Sequence, residues 1–149
     1  MKIYDNGKDI EKQDFVERGF VSALIDDAEQ RLKDESQGGE FINLTDGEYE
    51  ELCDYDFTVR NVSDEALDKC VSTVGRFCRE YLTEEQRQDL QGLDRNEGIG
   101  FGIDLYQSLM YDPHIVGEEY REAVKKFPPI DATPTIGESV DGDIRVFFE

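Results

Sequence analysis

TIGESVDGDIRVFFE, residues 135–149, decides the fold class of this chain. Asp141 and Gly142 stand between two runs rich in β-branched and aromatic residues, and Asp-Gly in that setting is a strong short-range hairpin signal. Upstream, RNEGIGFGIDLYQSL at 95–109 alternates with period two around glycines, which predicts further strands. Asp112 and Pro113 break that run. Gly117 to Phe127 predicts a helix with Tyr120, Val124 and Phe127 facing inward, stopped by Pro128 and Pro129.

Helices dominate towards the N-terminus. Ser63 is placed to cap a helix whose Leu67, Cys70, Val71, Val74, Phe77, Cys78, Tyr81 and Leu82 form one apolar stripe. Thr83 with Gln86 has capping-box spacing and starts a short helix that Gly92 terminates. Asp14 with Glu17 opens a first helix of about five turns, in which Val16, Phe20, Ala23, Leu24, Ala28 and Leu32 recur every three or four residues. Its other face carries Glu17, Asp26, Asp27, Glu29 and Asp34, and SQGG at 36–39 ends it. Next, EFINL at 40–44 suits a brief strand or an apolar loop anchor, and Thr45 with Glu48 marks a short helix start. The pattern is α+β: amphipathic helices packed on a small antiparallel sheet with a C-terminal β-hairpin, in one domain spanning 1–149.

Charge bounds the function. Thirty-six Asp plus Glu against sixteen Lys plus Arg give −20, and so many carboxylates on one small surface oppose compaction. Nine Phe and seven Tyr at regular spacing supply a core that a disordered acidic tail lacks. Such a surface offers too few cations for phosphate, so direct binding of nucleic acid or of an anionic membrane is not expected. No run approaches the roughly 20 apolar residues of a membrane span. MKIYDNGKD at the start lacks an apolar signal core, and Cys53, Cys70 and Cys78 contain no CxxC pair, so a reduced cytoplasmic protein is expected.

Catalytic and cofactor chemistry lack their companion residues. His114 follows Asp112 and Pro113 without a nucleophile motif. Paired carboxylates are too abundant to be informative, and the chain has no Trp to line a sugar cleft. GIGFG at 98–102 is followed by Ile103, Asp104 and Leu105 in place of the lysine and helix start of a phosphate loop. Around Asp141, Gly142 and Asp143 the twelve-residue calcium pattern is missing. No enzyme, cofactor or metal is expected.

Charge geometry remains. From Asp34 to Asp56 the chain carries nine acids and no base, with Phe41, Ile42, Leu44, Tyr49, Leu52, Tyr55 and Phe57 threaded among them. Carboxylates three or four positions apart on a helix lie about 5–6 Å from each other, close to the phosphate spacing of a strand. Asp46, Glu48, Glu50, Glu51, Asp54 and Asp56, with Tyr49 and Tyr55 for local contacts, are the candidate partner-binding residues. Asp26, Asp27, Asp34 and Glu35 flank them. A solvated face kept for solubility is the bland alternative.

In order along the chain, FVERGFVSAL at 15–24, CDYDFTVRNVSDEAL at 53–67, the VGRFCREY helix, RNEGIGFGID at 95–104 and the terminal VDGDIRVFF resemble a set of small acidic proteins of bacteriophages and mobile elements. The glycine box of that group runs close to RNGHGAGFWD. Arg95, Asn96, Gly98, Gly100, Phe101 and Asp104 keep its pattern, while its histidine and tryptophan positions differ. The resemblance implies a phage or plasmid accessory protein, a class in which anti-restriction and anti-CRISPR proteins are common. The expected function is therefore a non-catalytic anti-defence inhibitor that covers the basic nucleic-acid-binding surface of a host protein in the host cytoplasm. An acidic adaptor for another basic host factor is the alternative, with an enzyme a distant third. A homodimer by C2 pairing would lengthen the charged track.

Overall fold

The computed structural model describes residues 14–36, 61–138, 140, 142 and 144–149. Helix α1 (Asp14–Ser36) runs through the middle of the buried side chains. Phe20, Leu24 and Ala28 are wholly enclosed, and Val16, Val21, Ala23, Ile25 and Leu32 are nearly so, which spreads apolar contact around most of its circumference. That is more burial than one amphipathic stripe predicts. Glu17, expected on the solvent face, is buried, because helices and the sheet pack on α1 from several sides.

Helix α2 (Asp64–Arg76) begins where expected, with the Ser63 hydroxyl accepting from the Ala66 amide at 3.1 Å. It runs directly into a π turn (Phe77–Tyr81), one residue wider per turn than the helix before it. The Arg87 guanidinium donates to the carbonyls of Cys78, Arg79 and Leu82 at 3.4, 3.3 and 2.8 Å. It thereby satisfies acceptors that the end of a helix leaves without partners. Arg87 lies on α3 (Glu84–Gln91), which opens with the full Thr83–Gln86 capping box and ends at Gly92.

Residues 95–109, expected as strands, instead form α4 (Arg95–Met110). Asp94 accepts from the Glu97 amide at 2.8 Å while Glu97 reaches back to the Asp94 amide at 3.3 Å, a second capping box. Gly98 and Gly102, one turn apart, let α4 lie directly on α1. A methyl group on Gly102 would overlap the Val16 carbonyl oxygen, and one on Gly19 would overlap that of Ile99. The glycines thus serve a backbone-to-backbone helix crossing. In this respect the pair resembles the small-residue crossings of membrane helices.

Helix α5 (Glu118–Lys126) ends at Phe127, before Pro128 and Pro129. Strands β1 (Pro134–Glu138) and β2 (Ile144–Phe148) then pair antiparallel, with Ile136 opposite Val146, and Gly142 takes a positive φ of 87° in the connection. An isolated parallel bridge joins Val62 to Val146, and the Ser63 amide donates to the Val146 carbonyl at 2.9 Å. The residue that caps α2 is therefore also tied to the sheet. The fold is α+β, helices packed on a two-stranded antiparallel sheet that is the C-terminal hairpin. The brief strand expected at 40–44 and the helix start expected at Thr45 lie outside the described residues.

Candidate functional site

The first turns of α3 and α5 carry Glu84, Glu85, Glu118 and Glu119, all open to solvent, as are Asp89 and Glu122 further along. Carboxylates in a first turn are favoured by the partial positive charge of a helix N-terminus, so local physics selects them. Tertiary structure brings the two turns together: the Gln86 amide nitrogen donates to the Glu119 carbonyl at 2.7 Å. Burial raises the Tyr120 phenol above its ordinary pKa, and the charges of Glu119 and Asp89 push it further up. Those two carboxylates therefore act on the same neighbourhood.

The arginines of the same helices turn the other way, while Lys125 and Lys126 stand exposed in the last turn of α5. Arg87 closes the π turn, and Arg121 donates to the Val116 and His114 carbonyls at 3.3 and 3.2 Å. Guanidinium groups held on backbone carbonyls are drawn away from the surface carboxylates, so the adjoining first turns of α3 and α5 stay acidic, while the last turn of α5 is basic. These carboxylates are not among the site residues expected from the sequence, which centre on the acid run at 34–56. The acidic doublets at 84–85 and 118–119 were the signal, but their proximity depends on the packing of elements 33 residues apart.

A different arrangement surrounds Asp27. Its Oδ2 accepts from the phenols of Tyr106 and Tyr111, each at 2.6 Å, and its Oδ1 accepts from Arg31 Nε at 3.2 Å. A terminal nitrogen of Arg31 also donates to the Tyr111 oxygen at 2.7 Å. Burial, then the bond to Asp27, raises the Tyr106 phenol far above its ordinary value. The cluster fastens the far end of the α1 and α4 pair. Every member has a partner within the cluster, which describes a structural tie better than a reactive centre.

The sequence-derived site residues fall into three groups. Asp46, Glu48, Tyr49, Glu50, Glu51, Asp54, Tyr55 and Asp56 lie outside the described residues. Asp34 and Glu35 belong to the last turns of α1. Of the remaining flanking pair, Asp26 is exposed, whereas Asp27 is turned into the tyrosine cluster.

His114 does have a carboxylate partner. Asp112 Oδ1 accepts from the His114 amide at 3.0 Å and lies 3.1 Å from its ring Nδ1. The backbone bond first, and the ring bond next, hold the Asp112 carboxyl below its usual range. Both side chains are more than half exposed, so the pair stands in water and closes a local turn. Cys70 is enclosed and Cys78 partly so. Burial pushes the Cys78 thiol up to about 11, with the charge of Glu17 adding to the shift.

Among the described residues no three His, Cys, Asp or Glu side chains converge as metal ligands, and no helix is long and apolar enough to cross a membrane. Comparison of the chain with protein-family models, with curated proteins and with solved structures returned no match.

Proposed function

We propose that the protein is a non-catalytic acidic inhibitor of phage type, which covers the basic nucleic-acid-binding surface of a host defence protein. The observation that carries the reading is the division of charge in α3 and α5. Carboxylates face water on two adjoining helix starts, while Arg87 and Arg121 are turned onto backbone carbonyls. With a net charge of −20, such a surface attracts a basic groove at long range and repels free nucleic acid. The acids of the 34–56 run, with Tyr49 and Tyr55, would add the close contacts. No bond to the partner need be made or broken, so inhibition is by occupancy.

Pull-down from host lysate at low and high salt tests the proposal. The expected partner has a basic groove, is released as salt rises, and is displaced by nucleic acid. A partner held equally at both salt concentrations, or one without a basic groove, overturns the reading. Capture of a basic factor unrelated to defence points to the adaptor role instead.

A further inference from the structure

Between α2 and the segment following α5 lies a cleft of about 400 Å³, within the size range of small-molecule sites. One wall is a single face of α2, on which Lys69, Ser72, Thr73 and Arg76 follow one another at helical spacing. Phe127, Pro128, Pro129 and Ile130 form the opposite, apolar wall. The cleft is thus polar on one side and greasy on the other.

Its two cations are each held over an aromatic ring. The Lys69 ammonium lies over the Phe148 ring and the Arg76 guanidinium over the Phe127 ring, each 5.7 Å from the centroid. Arg76 Nε lies 3.2 Å from a Glu80 carboxylate oxygen, in a pair whose members are both about half exposed, an arrangement that water largely screens. Among the described residues no carboxylate is within ion-pair distance of Lys69, in a chain with 36 acids. Thr73 donates its hydroxyl to the Lys69 carbonyl at 2.7 Å, which leaves the Ser72 hydroxyl between the two cations. Seven residues of helix set the two Cα atoms about 10 Å apart, within the joint reach of two long side chains.

We infer that this cleft binds a small organic monoanion: one carboxylate or phosphate diester on an apolar body. The anionic group lies on Lys69, Ser72 and Arg76, and the body lies against Phe127 and Pro128. Asp68 and Asp131 also line the cleft and, with the net charge of the chain, select against ligands of higher charge. This site is separate from the acidic face of α3 and α5, so each can fail without the other.

The test is calorimetric titration of the full chain with octanoate and with dibutyl phosphate, beside octanol and octylamine as neutral and cationic controls. Saturable binding of one anion per chain is expected, with amide NMR shifts confined to residues 69–76 and 127–131. The tighter of the two anions identifies which source of negative charge the site takes. Lys69→Gln with Arg76→Gln should weaken binding at least about tenfold, since charge-assisted hydrogen bonds are lost, whereas Lys69→Arg should stay within about threefold. Ser72→Phe keeps both charges but fills the cleft and should abolish binding. Absence of binding by both anions, equal binding of octanol or octylamine, or undiminished binding by Ser72→Phe overturns the inference. Circular dichroism establishes that each variant is folded before it is scored.

Discussion

Gly102 of α4 lies against Val16 of α1 so closely that the Val16 carbonyl oxygen occupies the space a methyl group on Gly102 would need. The obstacle is backbone, which cannot rotate aside as a side chain can. Gly102→Ala should therefore destabilise the protein by about 2–3 kcal/mol despite the better helix propensity of alanine. Gly100 sits in the same helix with nothing within 4 Å of the position its methyl would take. Gly100→Ala should stabilise by about 0.4–1 kcal/mol, and urea unfolding of the two variants checks the opposite signs.

Asp27→Asn should cost about 1–3 kcal/mol, because an amide cannot accept from two phenols and a guanidinium as the carboxylate does. Chemical denaturation at neutral pH measures the loss. Tyr111→Phe removes one phenol from the exposed side of the cluster, and its effect should be smaller.

The Tyr106 phenol adds a pH dependence. Its folded pKa is raised, by burial first and the Asp27 bond second, above an unfolded value near 10. Above about pH 10 the unfolded chain gives up this proton while the folded chain keeps it, so stability is fully present below pH 10 and falls as pH rises further. Ultraviolet titration should show Tyr106 ionising only together with unfolding. A Tyr106 signal that titrates near pH 10 in the folded protein would contradict the buried geometry.

Thiol chemistry should distinguish the native from the unfolded chain. With Cys78 pushed up to about 11, only about one thousandth of it is thiolate at pH 8. Cys70 is more deeply buried, and its thiol is raised further still. In a Cys53→Ser background, neither thiol should react rapidly with a disulfide reagent until denaturant is added. Fast labelling of the native variant would show that the α2 stripe is open.

Capping contributes separately. Asp94→Ala removes one half of the capping box that opens α4 and should cost about 0.5–2 kcal/mol. Thr83→Ala, which affects the shorter α3, should fall within the same range. Thermal melts of both variants test whether the two boxes are of comparable worth.

The helices that follow a period of three to four, and the Asp-Gly hairpin, were legible because their signals are local. Ser63, Thr83 and Gln86 perform their expected roles by contacts within four residues. Residues 95–109 misled because glycine at alternate positions imitates a strand, while the reason for Gly98 and Gly102 is the surface of α1, some eighty residues away. Asp94 and Glu97 held the correct local signal, at the same spacing as Thr83 and Gln86. The α3 and α5 acidic face was half legible: its residues stand in the sequence, but the Gln86 bond that joins them does not. Asp27 showed the converse problem. Its type and helical position suggest a solvent-facing charge, and only the arrival of Tyr106 from α4 gives it an inward role.

The crossing of α1 and α4 also bears on how quickly the chain can reach its native state. Tyr106 is 79 positions from the Asp27 it bonds, and the glycine contacts span a similar separation. Closing a flexible loop of that length costs roughly 4 kcal/mol in chain entropy before any contact across it forms. Helices α2 and α3, with their short-range caps, carry no such cost and can form first. Assembly is thus expected to be limited by the meeting of the two ends of this loop, where a single methyl group in the wrong place would be felt in the refolding rate as well as in the final stability.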